Sequence, residues 1–134
     1  AVLLGLAAGV AAPLLTRRFW PDAPRVRNPR AAARLFVVFM YDVIVANFEV
    51  ARLVLGPVSR LRSDFVDVPL EIDDPFVATL LGSIVSLTPG TVTTHIDMEA
   101  RILRVHALDV ADPQALVETI VTRYQRPLKE TFGC

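Results

Sequence analysis

Ser86-Leu87-Thr88-Pro89-Gly90-Thr91-Val92 sits where an apolar run with helical spacing gives way to alternating residues, and it marks that change chemically. Pro89 has no N–H to offer a sheet ladder, and Gly90 can take the positive φ that a tight reversal needs. A helix is therefore expected to end near Leu87 and a strand to begin just past Gly90. The segment reads as a turn. It is not a phosphate loop, because the glycine repeat and the lysine are missing and a strand follows instead of a helix.

Upstream of the turn, Phe76, Leu80, Ile84 and Leu87 form one helical stripe, with Val77, Leu81 and Val85 beside it. Asp73 or Asp74 can cap this helix and Pro75 can occupy its first position. About a dozen residues do not span a bilayer, so a buried core helix is expected. Before it, Val66, Val68, Leu70 and Ile72 alternate with Phe65, Asp67, Pro69 and Glu71, which predicts a strand with one buried face. Pro69 assigns that strand to a sheet edge.

Downstream, Val92, Thr94 and Ile96 are predicted to point inward, against Thr93, His95 and Asp97. Asp97–Arg101 is expected to form a hairpin loop, and Ile102–Val110 the returning strand with Leu103, Val105 and Ala107 inward. Asp112-Pro113 opens a last helix whose buried face is Leu116, Val117, Ile120, Val121 and Tyr124, with Pro127 ending or kinking it.

The N-terminal part is of another kind. Ala1–Leu15 is apolar and rich in small residues, which favours close helix packing in lipid. Its first residue is not Met, so a natural N-terminus upstream is expected. Thr16–Arg34 carries six arginines, Phe19 and Trp20 at headgroup level, and Pro21, Pro24 and Pro29 opposing regular structure. By the positive-inside rule it is a cytoplasmic loop, a better reading than a nucleic-acid patch. Leu35–Val58 is long and apolar but holds Asp42, Glu49 and Arg52 at spacings that share one helical face. Such a helix either spans, its carboxylates then facing an ion path, or lies amphipathically at the interface with a wet polar face. The shared face favours the interface. Neutralising Asp42 or Glu49 is then expected to matter little.

A zero formal charge conceals a division. Residues 1–62 hold nine arginines and three acids, and residues 63–134 hold five bases and eleven acids, as expected of a basic membrane-associated region joined to an acidic soluble domain. The expected fold is membrane-anchored α+β: N-terminal hydrophobic helices (1–62) followed by a small β-α-β-β-α domain (63–134).

Little catalytic chemistry is legible. His95 and His106 are expected on the same outer sheet face, but two histidines and Asp97 fall short of a metal site, and solvated histidines are the default. Ser86, Thr88 and Thr91 lack a base with its orienting group and an oxyanion hole, so no enzyme and no cofactor is predicted. Cys134 reads as an ordinary free thiol.

Several strings in one order carry a resemblance: Pro13-Leu14-Leu15, Tyr41-Asp42, Ala46-Asn47-Phe48-Glu49-Val50, Ser86 to Val92, Val105-His106-Ala107-Leu108-Asp109-Val110 and Arg126-Pro127-Leu128. Together they resemble the E-type chain of the bacterial multisubunit Mrp-type cation/proton antiporter, also called Mnh or Pha. The resemblance implies an accessory component of a complex that exchanges cytoplasmic Na⁺, in some relatives K⁺, for protons. The large subunits of that complex carry the ion paths, and the E-type chain supports assembly or activity. The resemblance further implies the other subunits and the lipid bilayer as partners, the bacterial inner membrane as location, and a cytoplasmic C-terminal domain. Thr88, Pro89, Gly90 and Thr91 become a structural junction or subunit interface. Asp42, Glu49 and Arg52 become an ion-path or interfacial polar face. The alternative is a stand-alone membrane-tethered sensor or regulatory domain.

Overall fold

The computed structural model describes residues 1–134 except Trp20 and Ala23, and Arg60 through its backbone alone. The expected headgroup position of Trp20 therefore lies outside the described residues. Two helices open the chain, α1 (Val2–Thr16) and α2 (Pro29–Leu55). With the short helical turn that follows α1, both are long and apolar enough to cross a membrane. Nothing on α1 is buried. Pro13 lies inside it without ending it.

Pro29 belongs to α2 instead of opposing it. The Asn28 side chain accepts from the Ala31 N–H at 3.1 Å and Pro29 fills the first turn, where a missing N–H does no harm. The loop expected to run to Arg34 thus stops six residues earlier, and Arg30 and Arg34 are helical. Its end is pinned, because the Arg27 and Asn28 amides both donate to the Thr131 carbonyl near the C-terminus.

The rest is a three-stranded antiparallel sheet with helices on one face. The strands are β1 (Asp64–Pro69), β2 (Thr91–Asp97) and β3 (Ile102–Ala107), in the order β1-β3-β2. Pro69 lies on an edge strand, as its missing donor requires. Val66, Val68, Leu103, Val105 and Ala107 point inward. They meet α3 (Pro75–Leu87) and the helix that closes the chain. Asp74 caps α3, its carboxylate accepting from the Phe76 and Val77 amides. Asp112 does the same for α4 (Pro113–Ile120).

Two faces differ from expectation. On α3 the core stripe is Val77, Ala78, Leu81, Ile84 and Val85, whereas Leu87 stands 64% exposed. On β2 a bulge between Thr93 and His95 inserts one residue and reverses the alternation. Thr91 and Thr93 therefore turn toward α3 while Val92 is 51% exposed, and only beyond the bulge does Ile96 face inward. His95 and His106 do share the outer face, but His95 stands opposite Arg104 and His106 opposite Val92. The His106 ring instead meets Phe65 edge-on, centroids 4.9 Å apart.

Pro127 does not end the last helix. Five residues, Val121–Gln125, form a π-turn between α4 and α5 (Arg126–Phe132), and Arg126 N–H reaches back to the Val121 carbonyl. The wider turn suits a proline that cannot donate at the next step. It also brings two consecutive residues, Tyr124 and Gln125, into the interior. Gln125 is wholly buried, and its amide donates to the Pro69 carbonyl and accepts from the Glu71 N–H, each at 3.1 Å. A side chain thus extends the ladder past the end of β1. Gln125→Leu is expected to destabilise the fold by about 1–3 kcal/mol, because the Glu71 N–H loses its partner away from water. Denaturant unfolding together with faster hydrogen exchange at the Glu71 amide checks this.

Candidate functional site: the junction of α2 with the sheet domain

Thr88–Thr91 has the arrangement of a type II turn. The Thr91 N–H donates to the Thr88 carbonyl at 3.2 Å, Pro89 takes the second position, and Gly90 the third with φ 90°. The threonines add to the close of α3, whose Ile84 and Val85 carbonyls also accept from the Thr88 N–H at 3.2 and 3.3 Å. Thr88 donates its hydroxyl to Ile84 O at 3.1 Å, and Thr91 donates its own to Val85 O at 2.7 Å. Ser86 accepts from the Thr93 amide at 3.0 Å, so helix and strand are tied across the turn. α2 also approaches Gly90 closely: a Cβ built there would stand 3.1 Å from Val50 Cγ2.

α2 lies along the domain instead of leading away from it. Its inward stripe runs through Ala31, Leu35, Asp42, Ala46, Val50 and Leu53, a length of about 33 Å at 1.5 Å per residue. Between this stripe and the turn is a groove of about 290 Å³. Asp42 and Glu49 line one wall, Thr88–Thr91 and Arg123 the other. Two sets of residues singled out separately in the sequence thus meet in one place. Arg52 lies outside that groove, in the adjoining hollow with Glu49, Leu61 and Asp109.

Asp42 is not a solvated stripe residue. Its side chain is 15% exposed and accepts from both ends of the Arg123 guanidinium, Nε at 2.9 Å, and from the Tyr124 hydroxyl at 2.8 Å. These partners are 81 and 82 residues away along the chain, which is why spacing within α2 could not reveal them. Glu49 is exposed, and no ion pair joins it to Arg52 among the described residues. The Asp42 hydrogen bond raises Arg123 above the usual arginine value, so the guanidinium stays charged.

Burial pushes the Tyr124 phenol up to about 12, and its bond to Asp42 adds to this while Thr88 offsets part of it. The folded value exceeds the unfolded one of about 10, so the folded chain favours the protonated phenol. That stability is full below about pH 10 and is lost as pH rises through about 12. Unfolding midpoints measured from pH 9 to 12 are expected to fall more steeply in the native chain than in Tyr124→Phe.

No group of three or more His, Cys, Asp or Glu converges as a metal site among the described residues. The chemistry at the junction is that of fastening: charge-assisted hydrogen bonds, a tight turn and a close helix approach.

The model of one family, described as Na+/H+ ion antiporter subunit, matches residues 1–131. Two bacterial relatives align over nearly the whole chain. The E-type chain of the Na(+)/H(+) antiporter of Alkalihalophilus pseudofirmus is 28% identical over 96% of this chain and 81% of its own length. The E-type chain of a probable K(+)/H(+) antiporter of Rhizobium meliloti is 31% identical over 98% and 81%. Among solved structures, a chain of the Mrp complex from Dietzia sp. DQ12-45-1b has a TM-score of 0.55 at 24% identity, over 76% of this chain and 96% of that one. A chain of the membrane-bound sulfane sulfur reductase, an archaeal respiratory membrane complex, has a TM-score of 0.67 at 23% identity, over 98% and 83%. Two apolar helices, a three-stranded α+β domain fastened to the second, and a match across both parts lead to one assignment: this chain belongs to the Na+/H+ antiporter subunit family, in the E-type branch that its named relatives share.

Proposed function

We propose that the chain is the accessory E-type component of a multisubunit monovalent cation/proton antiporter, with Na⁺ as the cation and K⁺ the alternative, and that it supports assembly and activity without carrying a chemical step. The observation that carries this reading is the family match over residues 1–131, which takes in both apolar helices and the domain. The complex sits in a bacterial inner membrane, with residues 1–62 membrane-associated and residues 63–134 in the cytoplasm. Within that frame α2 lies at the interface. Packing along about 33 Å of the domain supports this, since a spanning α2 would draw the domain's carboxylates into hydrocarbon. Thr88–Thr91 serves as a structural junction, Glu49 and Arg52 as a wet face, and Asp42 as the fastening of α2.

Purification from membranes in mild detergent tests this reading: the chain should co-migrate with several hydrophobic partners, whereas a stand-alone sensor would migrate alone. Orientation is tested at Cys134, which is exposed. Its thiol is pushed up by burial and by Asp74, so labelling is slow at neutral pH and needs a permeabilised-cell control. Modification only after permeabilisation is expected. Labelling by an impermeant reagent in intact cells would reverse the topology.

A further inference from the structure

Between α2 and the last helix runs a second groove, of about 250 Å³, lined by Arg34, Arg123 and Arg126 with Leu35 and Val38 below them. Glu130 is the acidic side chain on its wall. Arg123 is engaged by Asp42, but Arg34 and Arg126 have no carboxylate within ion-pair distance among the described residues. Arg30, one turn before Arg34 on α2, is likewise unpaired among them. At this groove the guanidinium groups outnumber Glu130, two of them stand outside any ion pair among the described residues, and their planar fork matches the oxygens of a phosphate.

The same flank of α2 continues in a different character. Stepping from Arg34 by three and four residues gives Val37, Tyr41, Ile44 and Phe48, all exposed. A continuous apolar strip of this kind on a surface marks a contact. Its partner must be apolar beside the strip and anionic at the arginine end. We propose that the groove holds the phosphate of an anionic phospholipid whose acyl chains meet the Val37–Phe48 strip. This deepens the interfacial placement of α2 given above and rests on it. Lipid with a zwitterionic headgroup satisfies the strip but leaves the arginines without a net countercharge, so the site is selective for headgroup charge.

The test uses the full chain in mild detergent, offered equal amounts of phosphatidylglycerol and phosphatidylcholine with identical acyl chains. Bound lipid is counted by native mass spectrometry. The native chain is expected to prefer phosphatidylglycerol by roughly tenfold or more. Arg34→Gln with Arg126→Gln should bring the ratio close to one, while Arg34→Lys with Arg126→Lys should keep most of it. Raising salt should weaken the preference in the native chain and in the lysine variant, and leave the glutamine variant unchanged. An unchanged ratio in the glutamine variant overturns the proposal. So does full displacement of the lipid by millimolar inorganic phosphate, which would make the groove a free-anion site. A nitroxide attached at Phe48→Cys, in a Cys134→Ser background reconstituted in phosphatidylcholine vesicles, separates the two readings. A shallow nitroxide with no headgroup preference leaves α2 at the interface and sinks the lipid site. A nitroxide at the bilayer centre sinks the interfacial reading itself.

Discussion

Asp42→Ala should destabilise the chain by about 2 kcal/mol and release α2 from the domain. The figure follows from hydrogen bonds to a charged group at about 1.5–3 kcal/mol, discounted because the Arg123 side chain is 42% exposed. In cells the expected outcome is less assembled complex, with the remaining complex transporting normally per copy. This reverses the mild effect expected of a wet carboxylate, and the reversal comes from geometry: two partners from the far end of the chain converge on one side chain. A double-mutant cycle of Asp42→Ala with Arg123→Ala isolates the pair. A coupling of about 1 kcal/mol or more is expected, and additive effects would show that the contact contributes nothing. Glu49→Gln, lacking such partners, should leave both stability and antiport close to native.

At the other end of the junction, Gly90→Val is expected to lose roughly 2–3 kcal/mol through two separable causes. A β-branched residue at φ 90° is strained, and its Cβ would press on Val50 at 3.1 Å. Val50→Ala should therefore rescue Gly90→Ala only in part, because it removes the collision and leaves the backbone strain. Stability measured by denaturant unfolding for the four combinations decides this. Full rescue would mean that strain at Gly90 is negligible. Normal complex abundance with abolished antiport would instead give the turn a direct role in transport.

The elements easiest to read in the sequence were those fixed by local chemistry. Asp74-Pro75 and Asp112-Pro113 signal their helices by residues that touch, Pro69 must sit on an edge, and alternation in β1 and β3 is enforced by a core on one side only. β2 failed because Thr91, Thr93 and Thr94 leave both phases similarly polar, so nothing in the pattern shows where the bulge falls. Asn28-Pro29 did carry the start of α2, as cap and first position, but among neighbouring prolines it read as loop. The junction was half legible. Its turn is local, whereas the Asp42 clamp depends on residues 81 and 82 positions distant, and no periodicity reports such a pair. Gln125 had one visible clue, a neutral polar residue beside the apolar face of the last helix.

The five-residue turn before Pro127 makes the helix sensitive to its length as well as to its composition. Arg123 and Tyr124 grip α2 while the next residue, Gln125, braces β1. Removing a single residue between Val121 and Gln125 would tighten the turn to ordinary α-helical spacing and leave α5 nearly in phase, so the loss would fall on the turn itself. Leu128 and Thr131 would keep their seats, and with Thr131 the carbonyl that anchors the Arg27 and Asn28 amides. The extra residue thus lets one short turn hold α2 and β1 at once, and its loss would loosen those two grips while sparing the anchored loop, a spacing constraint that substitutions alone would never expose.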